Sequence, residues 1–329
     1  MNRVGDNQDE LWDEEDGFFY DVLRFSDGSA TRMKLRSLVG LLPLCAVCII
    51  PPEFVQKHPA VMKRVSRFLE RRPSLVANIH PIEREGVGGR RMLSILNESN
   101  LRRVLARMLD EERFLSPYGI RSLSKWHKDH PYVFTVHGDE YKVQYEPAES
   151  TSGMFGGNSN WRGPVWFPIN ILIVRALLEL YQYFGDEFKI ECPTGSGRQM
   201  TLFQVATEIG TRLVSIFAQD KNRRRPVYGD TAVFQKDPHW RDHILFYEFF
   251  HGDNGAGIGA SHQTGWTGGI ATIIQVLGAV KAQDLMAGDA FKKAFGRGEA
   301  EEAAGTGAGT REGAAARAGA GARAAVTSG

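Results

Sequence analysis

Glu248 stands inside LFYEFFHGD, residues 245–253, with aromatic side chains on both sides. A carboxylate in such a setting is shielded from bulk water, which tunes it for general-base work. The same residue can equally be a buried structural carboxylate paired with Arg241 or His251. A second loaded stretch is NSNWRGPVWFP, residues 158–168. Trp161 and Trp166 offer flat apolar faces, and Arg162, Asn158 and Asn160 offer hydrogen-bond donors. Gly156, Gly157 and Gly163 allow close backbone approach, and Pro164 and Pro168 hold the loop in shape. Flat aromatics beside fixed polar groups suit a neutral polyhydroxyl ligand, whose C–H faces stack while its hydroxyls find partners. The alternative is a structural loop whose tryptophans plug helix ends. Asp237, His239, Trp240, Arg241 and Asp242 form another polar–aromatic knot, and acidic residues are interleaved with Trp12, Phe18, Phe19 and Tyr20 in DNQDELWDEEDGFFYDVL, residues 6–23. Part of that last segment must pack, and it is a candidate to line the same cavity.

Other chemistries find little support. None of the usual zinc spacings occurs, so no metal is expected. The glycines of GDNGAGIGASHQTGW (252–266) do not have the dinucleotide-binding spacing, and no cofactor is expected. Three cysteines, Cys45, Cys48 and Cys192, do not describe a disulfide framework, and the Cys45–Cys48 pair reads as packing residues. The net charge of +1 predicts no overall attraction to nucleic acid or to an anionic membrane. The apolar run 38–50 is shorter than the roughly 20 residues a membrane-spanning helix needs, and it contains Pro43. It also lies too far from Met1 for a signal peptide. The default expectation is a soluble protein of the cytoplasm.

The elements that position these residues read as helical. Residues 33–49 form a candidate helix interrupted near Pro43. Phe54, Val61, Val65, Phe68 and Leu69 recur at helical spacing, as do Leu101, Val104, Leu105, Met108 and Leu109 behind a Ser99 or Asn100 cap. PINILIVRALLELYQYF (168–184) is apolar nearly all round and predicts a deeply buried helix. MTLFQVATEIGTRLVSIFAQD (200–220) is amphipathic, and WTGGIATIIQVLGAVKA (266–282) is a further buried candidate. Between them, 114–165 and 226–265 lack periodicity, a length of loop that points to function. No convincing strand series is visible, although 132–145 has the pattern of a hairpin across HGDE. From Gly296 to Gly329 the chain has no aromatic residue and almost no large apolar one, so it is expected to be a disordered Gly/Ala-rich tail after a domain over 1–295.

Taken together, LWDEEDGFFYDVL, YGIRSLSKWHKDHPY, GGNSNWRGPVWFPIN, ECPTGSG and DPHWRDHILFYEFFHGDNGAGIGASHQTGWTG resemble the C-terminal catalytic region of glycoside hydrolase family 63 and the mannosylglycerate-hydrolase-like group, from about residue 1 to residue 285. Trehalases are more distantly similar. The resemblance implies an all-α (α/α)6 toroid, here as a partial barrel covering the second half of the family domain. It implies inverting hydrolysis of an α-linked glucosyl or mannosyl oligosaccharide or small glycoside, by two carboxyl groups about 6.5–9.5 Å apart. Glu248 matches the general base. Trp161, Arg162 and Trp166, with Asn160 beside them, match a wall of the sugar pocket. His262, Gln263 and Trp266 match the loop after the base. The family's general acid, an Asp upstream of LWDEEDGFFYD, has no counterpart here, and Asp13, Glu14, Glu15 and Asp16 match a different segment. The corresponding expectation is weak activity of this chain alone and exposed helix faces open to self-association. A non-catalytic carbohydrate-binding or assembly protein on the same fold is the alternative.

Overall fold

The structure is a computed structural model that describes residues 9–73, 79–153, 160–288 and 290–295. Six principal helices are α1 (Pro52–Lys57), α2 (Pro59–Arg71), α3 (Glu98–Met108), α4 (Phe167–Phe184), α5 (Leu202–Ser215) and α6 (Ile270–Ala279). Each strong start signal has a local cause. The cap of α3 is Asn97 rather than the expected Ser99 or Asn100, since Asn97 Oδ1 accepts from Asn100 N at 2.9 Å, and Pro168 stands in the first turn of α4. Thr201 and Gln204 exchange the two bonds of a capping box at α5.

The core is built around α4. This helix buries Phe167, Ile173, Val174, Leu177, Leu180, Tyr181 and Tyr183, as its all-round apolar sequence demands. It packs against α5, which turns Val205, Ala206, Ile209 and Leu213 inward. α6 lies on α5. α3 contributes Leu101, Val104, Leu105 and Met108, the stripe expected from its spacing.

Elsewhere the structure corrects the sequence reading. Residues 38–45, expected as part of an α-helix, form a 3₁₀ helix containing Pro43, and the chain then enters a strand, Val47–Ile50. The β-branched pair Ile49 and Ile50 favours that extended form. Cys48 is exposed and Cys45 half-buried, so the pair is not a buried packing unit. The helical pattern of 54–71 is broken at His58–Pro59 into α1 and α2, and neither buries a single residue. In α6 only Ile270 and Ile273 are buried, while Ile274 is 51% exposed.

The two long aperiodic stretches are not structureless. Among the described residues the chain forms seven two-stranded antiparallel ladders. The hairpin expected in 132–145 is present, pairing Tyr132–Val136 with Asp139–Val143. Its two-residue turn is His137–Gly138, both at positive φ (51° and 92°), which matches the twist of the flanking strands. Periodicity missed most of the other ladders because they are two to four residues long. The expected Gly/Ala-rich tail at 296–329 lies outside the described residues, as do Gly156, Gly157 and Asn158.

Burial, rather than helical pattern, decides what each apolar residue contributes. Leu177→Ala, at a fully buried position, is expected to destabilise the fold by about 2–5 kcal/mol. Val61→Ala, on α2 at 45% exposure, is expected to stay within about 0.5 kcal/mol. Urea denaturation of both variants checks the contrast.

Candidate active site

The site is assembled by backbone pairing between loops far apart in sequence. Val165 N donates to Phe250 O at 2.8 Å, and Phe250 N donates to Val165 O at 3.0 Å. On its other side Val165 forms a bridge with Arg121. Phe249 and Phe250 pair in turn with Ile258 and Gly257. One narrow ladder therefore joins the loop after Gly119, the tryptophan loop and the segment carrying Glu248.

That ladder aligns the aromatic residues. Trp161 stacks on Trp166 with ring centroids 4.0 Å apart and planes 5° from parallel. Trp166 lies against Phe249 at 4.7 Å, and Trp266 meets Trp166 edge-on at 6.2 Å. Trp166 is buried, whereas Trp161 is half-buried and Trp266 is 38% exposed. The Trp166 Nε1 is buried without a hydrogen-bond partner among the described residues.

Glu248 immediately precedes Phe249 and is half-buried. Its Oε2 accepts from Ala260 N at 3.4 Å. The alternative pairings do not form. Arg241 binds Asp242 instead, and His251 Nδ1 accepts from the backbone of Asp253 and Asn254. Gly259 leaves room for the carboxylate: it has φ +76°, and a Cβ there would lie 2.8 Å from Glu248 Oε2. The following loop folds back beside Glu248. Phe246 bridges to His262, Gln263 N donates to Phe246 O at 2.8 Å, and Thr267 Oγ1 donates to Tyr247 O. His262 is exposed and Gln263 half-buried. The structure thus brings Glu248, Trp161, Trp166, Gln263 and Trp266 into one neighbourhood.

Arg162 and Asn160 have a different setting. Arg162 is buried, faces the buried Glu146 at 3.5 Å and donates to Ser152 Oγ at 2.9 Å. Asn160 Oδ1 accepts from Ser150 N at 3.0 Å. Both residues tie the tryptophan loop to 146–152, and Glu146 N donates to Arg162 O at 2.7 Å. Burial pushes the Glu146 carboxyl up, but hydrogen bonds from Thr151 and Ser150 and the Arg162 charge outweigh it and hold the carboxyl below its usual range. Gly163 is required by the same contact, since a Cβ there would lie 2.5 Å from Glu146 O.

Several supporting residues were not legible in the sequence. Asp253 Oδ1 accepts from Arg121 Nη2 at 3.0 Å and from the Tyr145 hydroxyl at 2.8 Å. Burial pushes the Tyr145 phenol far above its ordinary value, so it remains a donor. Asn170, buried in the first turn of α4, accepts from Ile120 N and donates to Ile120 O and Trp166 O. The single available signal was that Asp253 sits inside a glycine-rich motif. Spacing alone did not reveal the partners of Glu146 and Asn170.

The acidic N-terminal segment is structural in its contacts. Asp13 is buried against Arg32 at 2.9 Å and Lys34 at 3.0 Å, and Asp16 pairs with Lys34 and Arg36. Burial raises both carboxyls, but the Asp16 backbone N–H and Lys34 at Asp13, and Lys34, the Tyr20 hydroxyl and Arg36 at Asp16, prevail, so both titrate below the ordinary range. Neither therefore holds a proton near neutrality. The Asp237–Asp242 knot is mostly exposed, and no cluster of possible metal ligands occurs among the described residues. Cys192 is buried, and burial with nearby Glu208 pushes its thiol up to about 11, away from thiolate chemistry at neutral pH.

Residues 91–267 match the mannosylglycerate hydrolase MGH1-like glycoside hydrolase domain. The chain belongs to this family. It is also 48% identical over 271 residues to an uncharacterized protein of Saccharomyces cerevisiae, a match covering 82% of this chain and 25% of that protein. It is 25% identical over 184 residues to the mannosyl-oligosaccharide glucosidase of the same yeast, covering 55% of this chain and 16% of the glucosidase. The chain thus spans a quarter or less of these relatives. The family match contains the tryptophan loop, Glu248 and Trp266, so the neighbourhood described above lies within a glycoside hydrolase domain.

Acid titration tests the carboxylate network. Asp13, Asp16 and Glu146 have lowered folded values, so their stabilisation is complete above the unfolded values near 4. It is lost as pH falls through the lower folded values. The melting temperature should drop steeply below about pH 4, and less steeply in Asp13→Asn, which starts from a lower stability. A parallel pH profile in wild type and variant would remove Asp13 from this role.

Proposed function

We propose that the domain hydrolyses an α-linked glucosyl or mannosyl substrate with inversion, and that Glu248 is the general base. The observation that carries this reading is the attachment of Glu248 to the aromatic wall: Phe249, the next residue, stacks on Trp166, and the Val165–Phe250 pairing sets that register. A pyranose C–H face stacked on Trp161 or Trp266 would present its anomeric carbon beside a half-buried carboxylate. Glu248 would then take a proton from water attacking that carbon, while Gln263 and His262 bind hydroxyls. Arg162 acts from beneath, by holding the Trp161 loop against Glu146.

Inversion also requires a proton donor on the opposite face of the sugar. Asp13 and Asp16 are committed to cations as carboxylates, so they do not fill that role, and no acid is assigned to a numbered residue. The proposed scaffold is an (α/α)6 toroid, of which α3–α6 and their connecting loops form part. The proposed unit is a glycoside hydrolase domain over 1–295. The exposed apolar residues Leu172 on α4 and Ile274 on α6 mark faces that further helices of such a ring would cover.

The test is turnover of α-glucosides and α-mannosides, with the anomer of the first product read by NMR. Glu248→Gln should lower kcat by about 10²–10⁴-fold and leave the melting temperature unchanged, because Glu248 makes one long hydrogen bond to the fold. Full activity in the variant would remove Glu248 from the base role. An α-anomer as first product would overturn inversion.

A further inference from the structure

Net charge conceals a local imbalance. Ile50 and Arg91 are paired across the two strands Val47–Ile50 and Arg91–Ser94; of the residues between them, 80–90 pack on the core, where His80 meets the Tyr183 hydroxyl and Ile82 is buried, whereas the segment 51–72 does not. This segment precedes the family match, which begins at Arg91. Its helices α1 and α2 bury no residue. They carry Lys57, Lys63, Arg64, Arg67 and Arg71, followed directly by Arg72, against Glu53 and Glu70. Among the described residues none of these eight forms a salt bridge, so the positive charge is presented to solvent without neutralisation.

The apolar residues of α2 form a separate stripe. Val61, Val65, Phe68 and Leu69 recur at positions i, i+4, i+7 and i+8, while Lys63, Arg64, Arg67 and Arg71 occupy the neighbouring arc. Phe68 is 56% exposed, Val61 45% and, on α1, Phe54 42%. A helix that is polar on the whole, with bulky apolar residues on one side and Lys/Arg on the other, suits the interface of a bilayer.

We propose that the α1–α2 arm docks this protein on an anionic phospholipid surface, with Phe54, Val61 and Phe68 entering the headgroup boundary and the cations facing lipid phosphate and carboxylate. Three features favour a bilayer over a macromolecular partner. Met62, Val65 and Leu69 are already half-buried, so a groove cannot enwrap the helix and a flat surface fits better. Protein interfaces deplete charge at their centre, whereas here unpaired cations border the apolar stripe. A nucleic acid would use the cations and leave Phe54 and Phe68 without a role.

The test is flotation of the full chain with phosphatidylcholine vesicles, with and without about 30% phosphatidylserine. The protein should float with the anionic vesicles alone and be released by about 0.5 M salt. Arg64→Glu/Arg67→Glu should weaken binding by roughly tenfold or more, and Val61→Ser/Phe68→Ser should release the protein as well. All four side chains are solvent-exposed, so unchanged thermal melting confirms that the variants fold. No binding to anionic vesicles overturns the proposal, as does retention on a polynucleotide but not on vesicles. Binding lost with the arginines but untouched by the Val61/Phe68 change would reduce the arm to a polycation and overturn apolar docking.

Discussion

The assembly of the candidate site depends on Val165 sharing its backbone with two partners. Its N–H and C=O are exchanged with Phe250, and its other side faces Arg121. The segment is buried, so these polar groups must be satisfied by protein, and an unpaired one would cost about as much as a lost hydrogen bond. That requirement fixes the Trp161–Trp166 loop relative to the strand after Glu248. The stacking of Trp161, Trp166 and Phe249 then follows from register. Asn170 carries the constraint into the first turn of α4, so the helix and the ladder are positioned together.

The carboxylates sort by environment. Asp13, Asp16 and Glu146 are enclosed by cations and hydrogen-bond donors, which keep them ionised and occupied in holding the fold. Glu248 has a single long bond to Ala260 N and space secured by Gly259. A group engaged by several fixed partners has little freedom to exchange a proton with a ligand, whereas a lightly held one beside an aromatic wall does. The same sorting explains why Arg162, which reads from the sequence as a ligand contact, has its guanidinium beneath the loop. Turning the guanidinium outward would leave the buried Glu146 carboxylate without its cation, which is costly.

Charge and apolar surface also sort by place. The chain is nearly neutral in sum, yet cations without salt-bridge partners among the described residues accumulate on α1 and α2, ahead of the matched residues. Summed composition averages over the distances at which electrostatics acts, which are about a Debye length. The arm and the domain therefore belong to different electrostatic surroundings, although one number describes them both.

The sequence alone determined the strongly periodic parts. The helices read within 99–114, 168–184 and 200–220 follow from apolar spacing, which is local, although most of their ends fell elsewhere. The family followed from the order of several long motifs, and the hairpin within 132–145 from its pattern around HGDE, of which only His137 and Gly138 form the turn. Tertiary structure decided the rest. The pattern at 54–71 satisfies helical spacing as well as α3 does, but only packing reveals that none of its residues is fully buried. The extended run at 47–50 reads as helix because an apolar run that short has no decisive period. The partners of Glu146, Asp253 and Asn170 come from segments that only the folded chain brings together. Local propensity acts over a few residues, while a buried polar group is satisfied by whatever the fold brings near it. The elements were therefore legible in advance, and the connections that make them a site were not.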